Sequence, residues 1–363
     1  MKVLILGSGH IGEVIALMLS HTKEYRVTIA SKNKKVLQQL QSSNLKTKNL
    51  DFGDSRALEE VLKLNDVVLS AAPYWANMRI AKLALKAGVS YFDLTEDTAT
   101  TAYIKTLAKE AKSGQVFVPQ CGLAPGFIGI LGYSLSQKFD EIRSLKMRVG
   151  ALPEYPTNRL MYNLTWSTQG LINEYINPAL AITKGVKTEL QSLEGLEHFS
   201  LDGLKYEAFN TSGGLGTLCE TLEGKVQELN YKTVRYPGHR DLMYFLLHTL
   251  KMSRDDKREL LKEILEDAIP ATTQDVILIM VSVTGMRKGK LEQMTDVRKI
   301  YNGVLFDTPL SSIQITTAAG ICTVLDLFYE GKLAQQGFIA QEEIDYDAFI
   351  ANRFGQYYLP KGV

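Results

Sequence analysis

The residues best suited to chemistry stand near the start of the chain, where Gly7, Gly9 and Gly12 form the pattern G-x-G-x-x-G. Glycines at this spacing allow a tight turn, a close approach of backbone N–H groups to a pyrophosphate, and close packing of a helix on a strand. Apolar runs at 3–6 and 11–19 predict a buried strand before them and a helix after them, whose N-terminus favours phosphate. The alternative is a tight turn with no ligand. The predicted dinucleotide contacts are Gly7, Ser8, Gly9, His10, Ile11 and Gly12.

A second set of residues bears on which dinucleotide is bound. About 20 residues beyond the glycines, at the end of the second strand, NAD-binding chains carry an acidic residue for the ribose. This chain has Ser31 and Lys32 there, and a hydroxyl and an ammonium group suit a 2′-phosphate that a carboxylate would repel. The pair predicts NADP, with NAD left open, and the alternative for Lys32 is a solvated lysine. Asp51 and Phe52 are predicted beside the adenine, although a helix-entry turn explains Asp51 nearly as well.

Hydride transfer to such a dinucleotide is assisted by a proton acceptor near the nicotinamide. Asp93 and Glu96, after the fifth predicted strand, are the best-placed carboxylates, and the alternative role of either is to cap the next helix. Arg235 and His239, in RYPGHR, form a compact His/Arg cluster. Because Arg binds carboxylates bidentately and His titrates near neutral pH, both are predicted substrate ligands, and His239 is also a candidate catalytic group. The alternative is a turn with solvated charges.

Several further positions are predicted to line the same crevice, because they follow the fourth and sixth predicted strands. The cofactor contacts expected there are Ala71, Ala72, Pro73 and Cys121. A small buried thiol is the alternative role of Cys121. Tyr74 and Trp166 are predicted to line a substrate pocket, and the alternative is that both are core aromatics.

The elements that would position these residues alternate between strand and helix over residues 1–120. This order is typical of an α/β fold with a parallel, doubly wound sheet. Ligands of such a sheet bind at the carboxyl ends of its strands. The loops at Gly7, Ala71, Asp93 and Cys121 should therefore surround one crevice.

The pattern changes after Arg143, where strand-like runs are separated by turn signals: SLKMRVG, LMYNLTW, YEAFNTSG and VQELNYKTVRY. These runs predict a mainly antiparallel sheet in an inserted α+β domain. The apolar segment 313–329 predicts a helix that returns to the first sheet. The predicted domains are 1–124 with the returning helix 312–331 for the dinucleotide, 125–311 for substrate and dimerisation, and 332–363 as a C-terminal segment.

Composition excludes several classes of protein. The net charge of the 363 residues is +1, which argues against nucleic acid or anionic membrane as a partner. The apolar stretch 276–281 is too short to span a bilayer, and the N-terminus lacks the features of a signal peptide. Three widely spaced cysteines, Cys121, Cys219 and Cys322, argue against a disulfide framework and a zinc site. We expect a cytoplasmic protein without a metal.

Seven stretches across the chain resemble the saccharopine dehydrogenase family, most of all its bacterial and archaeal lysine 6-dehydrogenases. They are KVLILGSGHIG, SAAPY, CGLAPGF, VGALPEYP, YNLTWSTQGLINEY, NPALAITKG and TVRYPGH, in the family's order. The resemblance implies a Rossmann domain with an inserted substrate domain, and oxidation or reductive formation of a C–N bond of an amino acid with NAD or NADP. It singles out no catalytic base, and Ser31 and Lys32 depart from relatives with Asp there.

The resemblance also implies pocket residues, namely Tyr74, Asp93, Trp166, Arg235 and His239. We expect a small amino-acid substrate and a homodimer. One Arg cluster suits one α-carboxylate, so lysine is preferred to saccharopine, whose three carboxylates are costly to bury unpaired. Two alternatives remain: an NADP-binding regulatory protein without turnover, and a carbonyl or hydroxy-acid oxidoreductase.

Overall fold

The structure, a computed structural model, describes residues 1–40 and 45–359. Within these residues, tertiary contacts divide the chain into a first unit of residues 1–130 and 314–358 and a second unit of residues 131–313 with residue 359. The second unit is therefore inserted between two parts of the first. Most of the predicted C-terminal segment, 332–358, belongs to the first unit, and residues 360–363 lie outside the described residues.

The first part of the chain alternates between strands and helices, because short apolar runs favour buried strands between amphipathic helices. Its strands are β1 (Lys2–Leu6), β2 (Arg26–Ser31), β3 (Leu45–Asn49), β4 (Val67–Ser70), β5 (Ser90–Asp93) and β6 (Val116–Val118). Its helices are α1 (His10–Ser20), α2 (Lys34–Leu40), α3 (Ser55–Leu62), α4 (Tyr74–Ala87) and α5 (Thr98–Leu107).

These six strands form a parallel sheet in the order β6-β5-β4-β1-β2-β3. This order is that of the Rossmann fold, and it reverses at β1, where such sheets bind their ligands. Residues 3–6 of β1 are completely buried, as expected of a strand covered on both faces. The predicted doubly wound sheet is confirmed.

The second unit contains longer strands and shorter helices. Its strands are β7 (Glu141–Pro153), β8 (Ala179–Thr183), β9 (Val186–Leu190), β10 (Glu197–Leu201), β11 (Leu204–Asn210), β12 (Val226–Arg235), β13 (Asp275–Arg287), β14 (Lys290–Tyr301), β15 (Gly303–Leu305) and β16 (Thr308–Leu310). The helices are α6 (Phe127–Ser136), which leads into this unit, α7 (Thr168–Ile176), α8 (Leu218–Leu222), α9 (His239–Tyr244) and α10 (Arg258–Ala268).

The main sheet of this unit has the order β10-β11-β12-β7-β13-β14, with β8 paired to β12 and β9 to β8. All its pairs are antiparallel except β12 with β7. The predicted α+β domain with a mainly antiparallel sheet is therefore confirmed.

One predicted strand is wrong. The run LMYNLTW, residues 160–166, lies in an irregular segment between β7 and α7 and has only an isolated bridge from Leu164 to Ala271. Its alternating apolar residues are partly or fully buried in a core cluster with α7, α9 and α10. The period-two pattern therefore reflects burial on one side, while the backbone hydrogen bonds go elsewhere, as from Leu164 to Pro270.

After the second unit the chain returns as α11 (Ser312–Tyr329), β17 (Gly337–Phe338) and α12 (Tyr346–Ala351). β17 pairs with β6 and extends the first sheet. By length and hydropathy α11 resembles a membrane span, but 83% of that stretch is buried inside the protein, as in a core helix. Asp326 on α11 accepts hydrogen bonds from Tyr25, Asn352 and Arg353, which ties the C-terminal residues to the first unit.

Candidate functional site

The glycine motif forms a cradle at the start of α1. Gly7 has a φ of 109°, and a Cβ on it would lie 2.5 Å from the carbonyl oxygen of Ala71. A Cβ on Gly12 would collide with the carbonyl oxygen of Gly7. Gly9, at the N-terminus of α1, has nothing within 4 Å of such a Cβ, so its outer side is open to a ligand. These are the three roles expected of glycines that hold a pyrophosphate, and the residues present fit that group.

The neighbours of these glycines differ in exposure. Ser8 is buried, Ile11 is half-buried, and His10 is exposed at the first turn of α1. The backbone carbonyl of His10 accepts a hydrogen bond from Gln314 Nε2 at 3.4 Å. His10 therefore contributes backbone here, and its ring is free to face solvent or a ligand.

Ser31 and Lys32, the residues predicted to select the dinucleotide, lie next to the glycine loop. Gly7 N donates to the Ala30 carbonyl at 3.0 Å, so the end of β2 lies next to the turn. Ser31 is buried and its Oγ accepts from the backbone N–H of Asn33 at 3.2 Å, whereas Lys32 is exposed. The site thus presents an ammonium group beside the end of β2.

Asp51 and Phe52 lie in the turn that follows β3. Asp51 is exposed, and its Oδ1 accepts the backbone N–H of Gly53 at 2.9 Å, which is the helix-entry turn weighed above. The half-buried Phe52 packs against the first core cluster. Arg79 on α4, which the motifs did not single out, donates to the Phe52 carbonyl at 3.3 Å.

Residues 71–74 continue the crevice at the end of β4. Ala71 N donates to the Leu6 carbonyl at 2.9 Å, which sets this loop beside the glycine turn. Ala72 is half-buried, and the exposed Pro73 directly precedes α4, whose first residue, Tyr74, is half-buried. These four residues line the reversal point of the sheet order.

Asp93 ends β5 and is completely buried. Its carboxylate accepts hydrogen bonds from the Tyr91 hydroxyl at 2.8 Å and from the backbone N–H groups of Thr95 and Gln120 at 3.0 and 2.9 Å. Burial raises the pKa of Asp93 to about 6, although these hydrogen bonds oppose the rise. The carboxyl group therefore titrates close to neutral pH, in the range suited to a proton acceptor.

Helix capping is not the role of Asp93 or Glu96. The cap of α5 is Asp97, whose side chain accepts the backbone N–H of Thr100 at 2.7 Å. Glu96 is half-buried in the same loop. The choice between the two carboxylates as proton acceptor stays a prediction.

Cys121 follows β6 and is buried. Its thiol donates to the Val118 carbonyl at 3.0 Å and contacts Gln341 Nε2 at 3.4 Å. Burial raises the pKa of Cys121 well above its ordinary value, so the thiol is neutral at physiological pH. Its backbone N–H donates to the Asp93 carbonyl at 2.8 Å and joins the two strand ends.

The second unit contains a buried cation among aromatic rings. Arg235, the last residue of β12, is 2% exposed. Its Nη1 donates to the Val234 carbonyl at 2.9 Å, and its guanidinium lies 5.1 Å from the ring centre of Tyr162 and 5.9 Å from that of Tyr175. Its Nε has no hydrogen-bond partner in the described structure. A buried N–H without an acceptor is costly, which makes this group a candidate ligand for an anion.

His239 begins α9 next to this guanidinium and is completely buried. Its Nδ1 lies 2.9 Å from the Leu160 carbonyl and its Nε2 lies 3.0 Å from the Tyr175 hydroxyl. Burial lowers the pKa of His239 to about 3, and the positive charge of Arg235 adds to this effect. The imidazole is therefore neutral, with both ring nitrogens in hydrogen bonds.

Trp166 lies in the same unit, at the edge of the core cluster that contains Tyr162 and Tyr175. It is half-buried, and its ring covers Gly170, where a Cβ would lie 2.5 Å from Cζ3. The structure therefore brings Trp166, Arg235 and His239 into one unit and one aromatic region. The cofactor residues and Asp93 belong to the first unit.

Two buried residues of this region were not identified from the sequence. Glu207 on β11 is the register partner of Arg235, and its carboxylate accepts the backbone N–H groups of Gly238 and Arg240 at 2.8 and 2.6 Å. Tyr175 on α7 bonds to His239. A lone carboxylate inside the apolar run YEAFN was the available signal for Glu207, because buried acids need partners.

Comparison with known families decides the assignment. Residues 3–118 match the saccharopine dehydrogenase NADP binding domain, and residues 122–356 match the saccharopine dehydrogenase C-terminal domain. The chain belongs to the saccharopine dehydrogenase family. The resemblance seen in the motifs is confirmed, and the match to an NADP binding domain confirms the predicted cofactor.

The named relatives of this chain are distant from it in sequence. The NADP-dependent, L-glutamate-forming saccharopine dehydrogenase of Saccharomyces cerevisiae is 27% identical over 71% of this chain and 60% of its own length. Its Schizosaccharomyces pombe counterpart is 23% identical over 87% of this chain and 74% of its own length. The solved apo saccharopine dehydrogenase of Saccharomyces cerevisiae superposes with a TM-score of 0.79 at 18% identity and covers 99% of this chain and 96% of that one, which shows the shared fold.

Proposed function

We propose that this chain is an NADP-dependent oxidoreductase that acts on a C–N bond of an amino acid. The observation that carries the proposal is the unpartnered Nε of the buried Arg235. A substrate carboxylate would supply the missing acceptor, and a hydrogen bond between charged groups in a buried site is among the strong ones. Family membership and the glycine cradle supply the dinucleotide half of the reaction.

NADP, when bound, supplies the hydride acceptor of the reaction. The N-terminus of α1 and the open side of Gly9 would hold the pyrophosphate, and Ser31 and Lys32 would hold the 2′-phosphate. Arg235 would hold the substrate carboxylate. The amine must be neutral before that carbon loses hydride, because an ammonium has no lone pair with which to form the imine. Water then adds to the imine carbon, and the C–N bond breaks to give a carbonyl compound and an amine.

Asp93 is the proposed acceptor of the amine proton. Its pKa of about 6 leaves it ionised at neutral pH yet able to bind a proton. His239 suits this role poorly, because its pKa of about 3 and its two hydrogen bonds hold it as a neutral, occupied imidazole. Glu96 remains the second candidate, since it follows the same strand.

We propose lysine, or an amino acid of similar size, as the substrate in preference to saccharopine. Two other arginines of the second unit are also buried, but Arg148 pairs with Glu197 and Arg298 with Asp296. Among these three, Arg235 therefore has the unpartnered guanidinium N–H, which suits one carboxylate. The counter-argument is that the curated relatives named above act on saccharopine.

Absorbance of NADPH tests both parts of the proposal. L-lysine and saccharopine are each supplied with NADP and with NAD at mildly alkaline pH, where more of the amine is neutral. Turnover of lysine supports the proposal, and turnover of saccharopine alone would replace the substrate while keeping the reaction. Binding of NADPH with turnover of neither would favour the regulatory alternative, and a requirement for a hydroxyl group in place of the amine would favour a hydroxy-acid enzyme.

We also propose that the chain forms a homodimer through one face of the second unit's sheet. The cluster on this face contains strand residues alone, and Phe199, Leu201, Tyr236 and Met280 at its margin are only partly buried. The partly exposed apolar residues at this margin are the surface that a second copy of the chain would cover. Sedimentation at a mass near twice 40.5 kDa would support the dimer, and a charge at Met280 should then weaken it.

A further inference from the structure

We propose that Tyr175 and His239 are positioning residues: His239 fixes Tyr175 through a hydrogen bond, and the ring of Tyr175 keeps the guanidinium of Arg235 in place to bind an anion through its unpartnered Nε–H. The inference rests on the proposed function only in naming that anion as the substrate's carboxylate. Tyr175 is carried by α7, His239 by α9, and Arg235 by β12, so this chain of contacts links three elements of the second unit.

The direction of the hydrogen bonds follows from their last acceptor. A carbonyl oxygen cannot donate, so Nδ1 of His239 must carry the hydrogen that the Leu160 carbonyl accepts at 2.9 Å. Nε2 of the neutral ring is then an acceptor, and the Tyr175 hydroxyl must donate to it across 3.0 Å. The ring of Tyr175, held in this way, lies 5.9 Å from the guanidinium of Arg235, within range of a cation–π contact. Each member thus determines the orientation of the next.

The surroundings make this chain of contacts rigid. Tyr175, Arg235 and His239 are all buried, so bulk water cannot replace a missing partner. The rings of Tyr162 and Phe209 lie 5.3 and 6.4 Å from the imidazole centre and hold its plane. Glu174, next to Tyr175, is the acidic group in electrostatic range of Arg235 and favours its charged form.

This arrangement gives His239 a role other than proton transfer. Neither ring nitrogen is available to a substrate proton without breaking a buried hydrogen bond. What the ring contributes is an acceptor at a fixed point, and a guanidinium held in one orientation loses less entropy when it binds a carboxylate. Loss of this chain of contacts should therefore raise KM for the amino acid and leave kcat nearly unchanged.

Tyr175→Phe is the direct test, because it removes the hydroxyl and keeps the ring. We expect KM for the amino acid to rise about 2- to 10-fold, the equivalent of one hydrogen bond between neutral groups, with kcat within about twofold. Tyr25→Phe is the matched control, because it removes a buried, hydrogen-bonded tyrosine hydroxyl from the first unit, and it should leave KM unchanged. A fall in kcat with constant KM in Tyr175→Phe would overturn the proposal.

Two substitutions of His239 separate positioning from packing. In His239→Gln the side-chain amide lies near the position of Nε2, and its oxygen can accept the hydrogen bond from Tyr175. In His239→Asn the shorter side chain places its amide near Nδ1 only, so Tyr175 loses its acceptor. This chain of contacts predicts a KM closer to the wild type for the Gln variant. An equal rise of KM in both variants would mean that the imidazole ring contributes packing alone. A pH profile of kcat that loses its acidic limb in both would instead make His239 the base.

A measurement without turnover separates this inference from the proposed function. Nitrogen-15 NMR of the arginine side chains reports Nε–H of Arg235 directly, and acetate serves as the anion probe. Wild type should show one sharp signal that shifts with acetate, and Tyr175→Phe, checked for folding by thermal unfolding, should broaden it. If lysine and saccharopine are not turned over but this result holds, only the proposed function fails. A signal unchanged by Tyr175→Phe overturns the positioning role.

Discussion

The carboxylate of Glu207 binds the loop after β12, because it accepts the backbone N–H of Gly238 at 2.8 Å and that of Arg240 at 2.6 Å. The N-terminus of α9 and the ring of His239 are placed by this contact. We expect Glu207→Ala to lower the free energy of unfolding by about 2–4 kcal/mol, because two partly buried backbone N–H groups lose a charged acceptor. Urea unfolding measures the change.

The amide variant Glu207→Gln tests the same contact more gently. It retains one carbonyl oxygen as an acceptor, so its loss of stability should be about half that of Glu207→Ala. Glu220→Ala, on the short helix α8, is the comparison for removing an acid elsewhere in the unit. If Glu207→Gln and Glu207→Ala were as stable as wild type, the loop would be held by other contacts.

Lys32 decides between the two dinucleotides in our interpretation. Lys32→Ala should weaken NADPH binding about 10- to 100-fold, the equivalent of one charge-assisted hydrogen bond, and leave NADH binding nearly unchanged. Calorimetry with both cofactors measures this, with the exposed Lys35→Ala as a control. Equal losses for both cofactors would assign Lys32 a structural role.

Asp93 should make stability depend on pH. Its pKa rises from an unfolded value of 3.8 to about 6, so the folded state holds the extra proton and stability falls as pH rises from about 4 to about 6. Asp93→Asn keeps the acceptor for Thr95 and Gln120 but cannot ionise, so the stability of that variant should not change over this pH range. At pH 7 its free energy of unfolding should exceed that of the wild type by about 2–3 kcal/mol. Unfolding at pH 4 and pH 7 measures both.

The same variant tests catalysis. If Asp93 accepts the amine proton, kcat of Asp93→Asn should fall about 100- to 10,000-fold while NADPH binding persists. Glu96→Gln is the parallel variant for the second candidate. Full activity in Asp93→Asn with a loss in Glu96→Gln would transfer the role to Glu96.

Arg235→Ala should raise KM for the amino acid at least 100-fold and leave NADPH affinity unchanged, since the predicted cofactor residues lie in the first unit. Because removal of a large buried side chain leaves a cavity that weakens folding, Arg235→Lys is a second test: it keeps the charge without Nε and the planar fork, so KM should remain high. Wild-type KM in a folded Arg235→Lys would show that charge alone suffices.

The dinucleotide half of the protein was predictable from local sequence. Gly7, Gly9 and Gly12 encode a turn, an open approach and a close contact that only glycine permits, and residues 3–6 encode a strand buried on both faces. The alternation of strands and helices then fixed the fold class. These features depend on neighbours a few residues apart, which is why the sequence alone determined them.

The proposed anion site of the second unit depends on tertiary structure. Arg235 and His239 are close in sequence, but Tyr162, Tyr175 and Glu207 come from three other segments, and no short pattern joins them. Whether His239 is a base or a neutral acceptor depends on burial and on the carbonyl opposite Nδ1, which only packing sets. The alternating run at 160–166 likewise recorded burial but not backbone pairing, because the partner for each N–H is chosen by the fold.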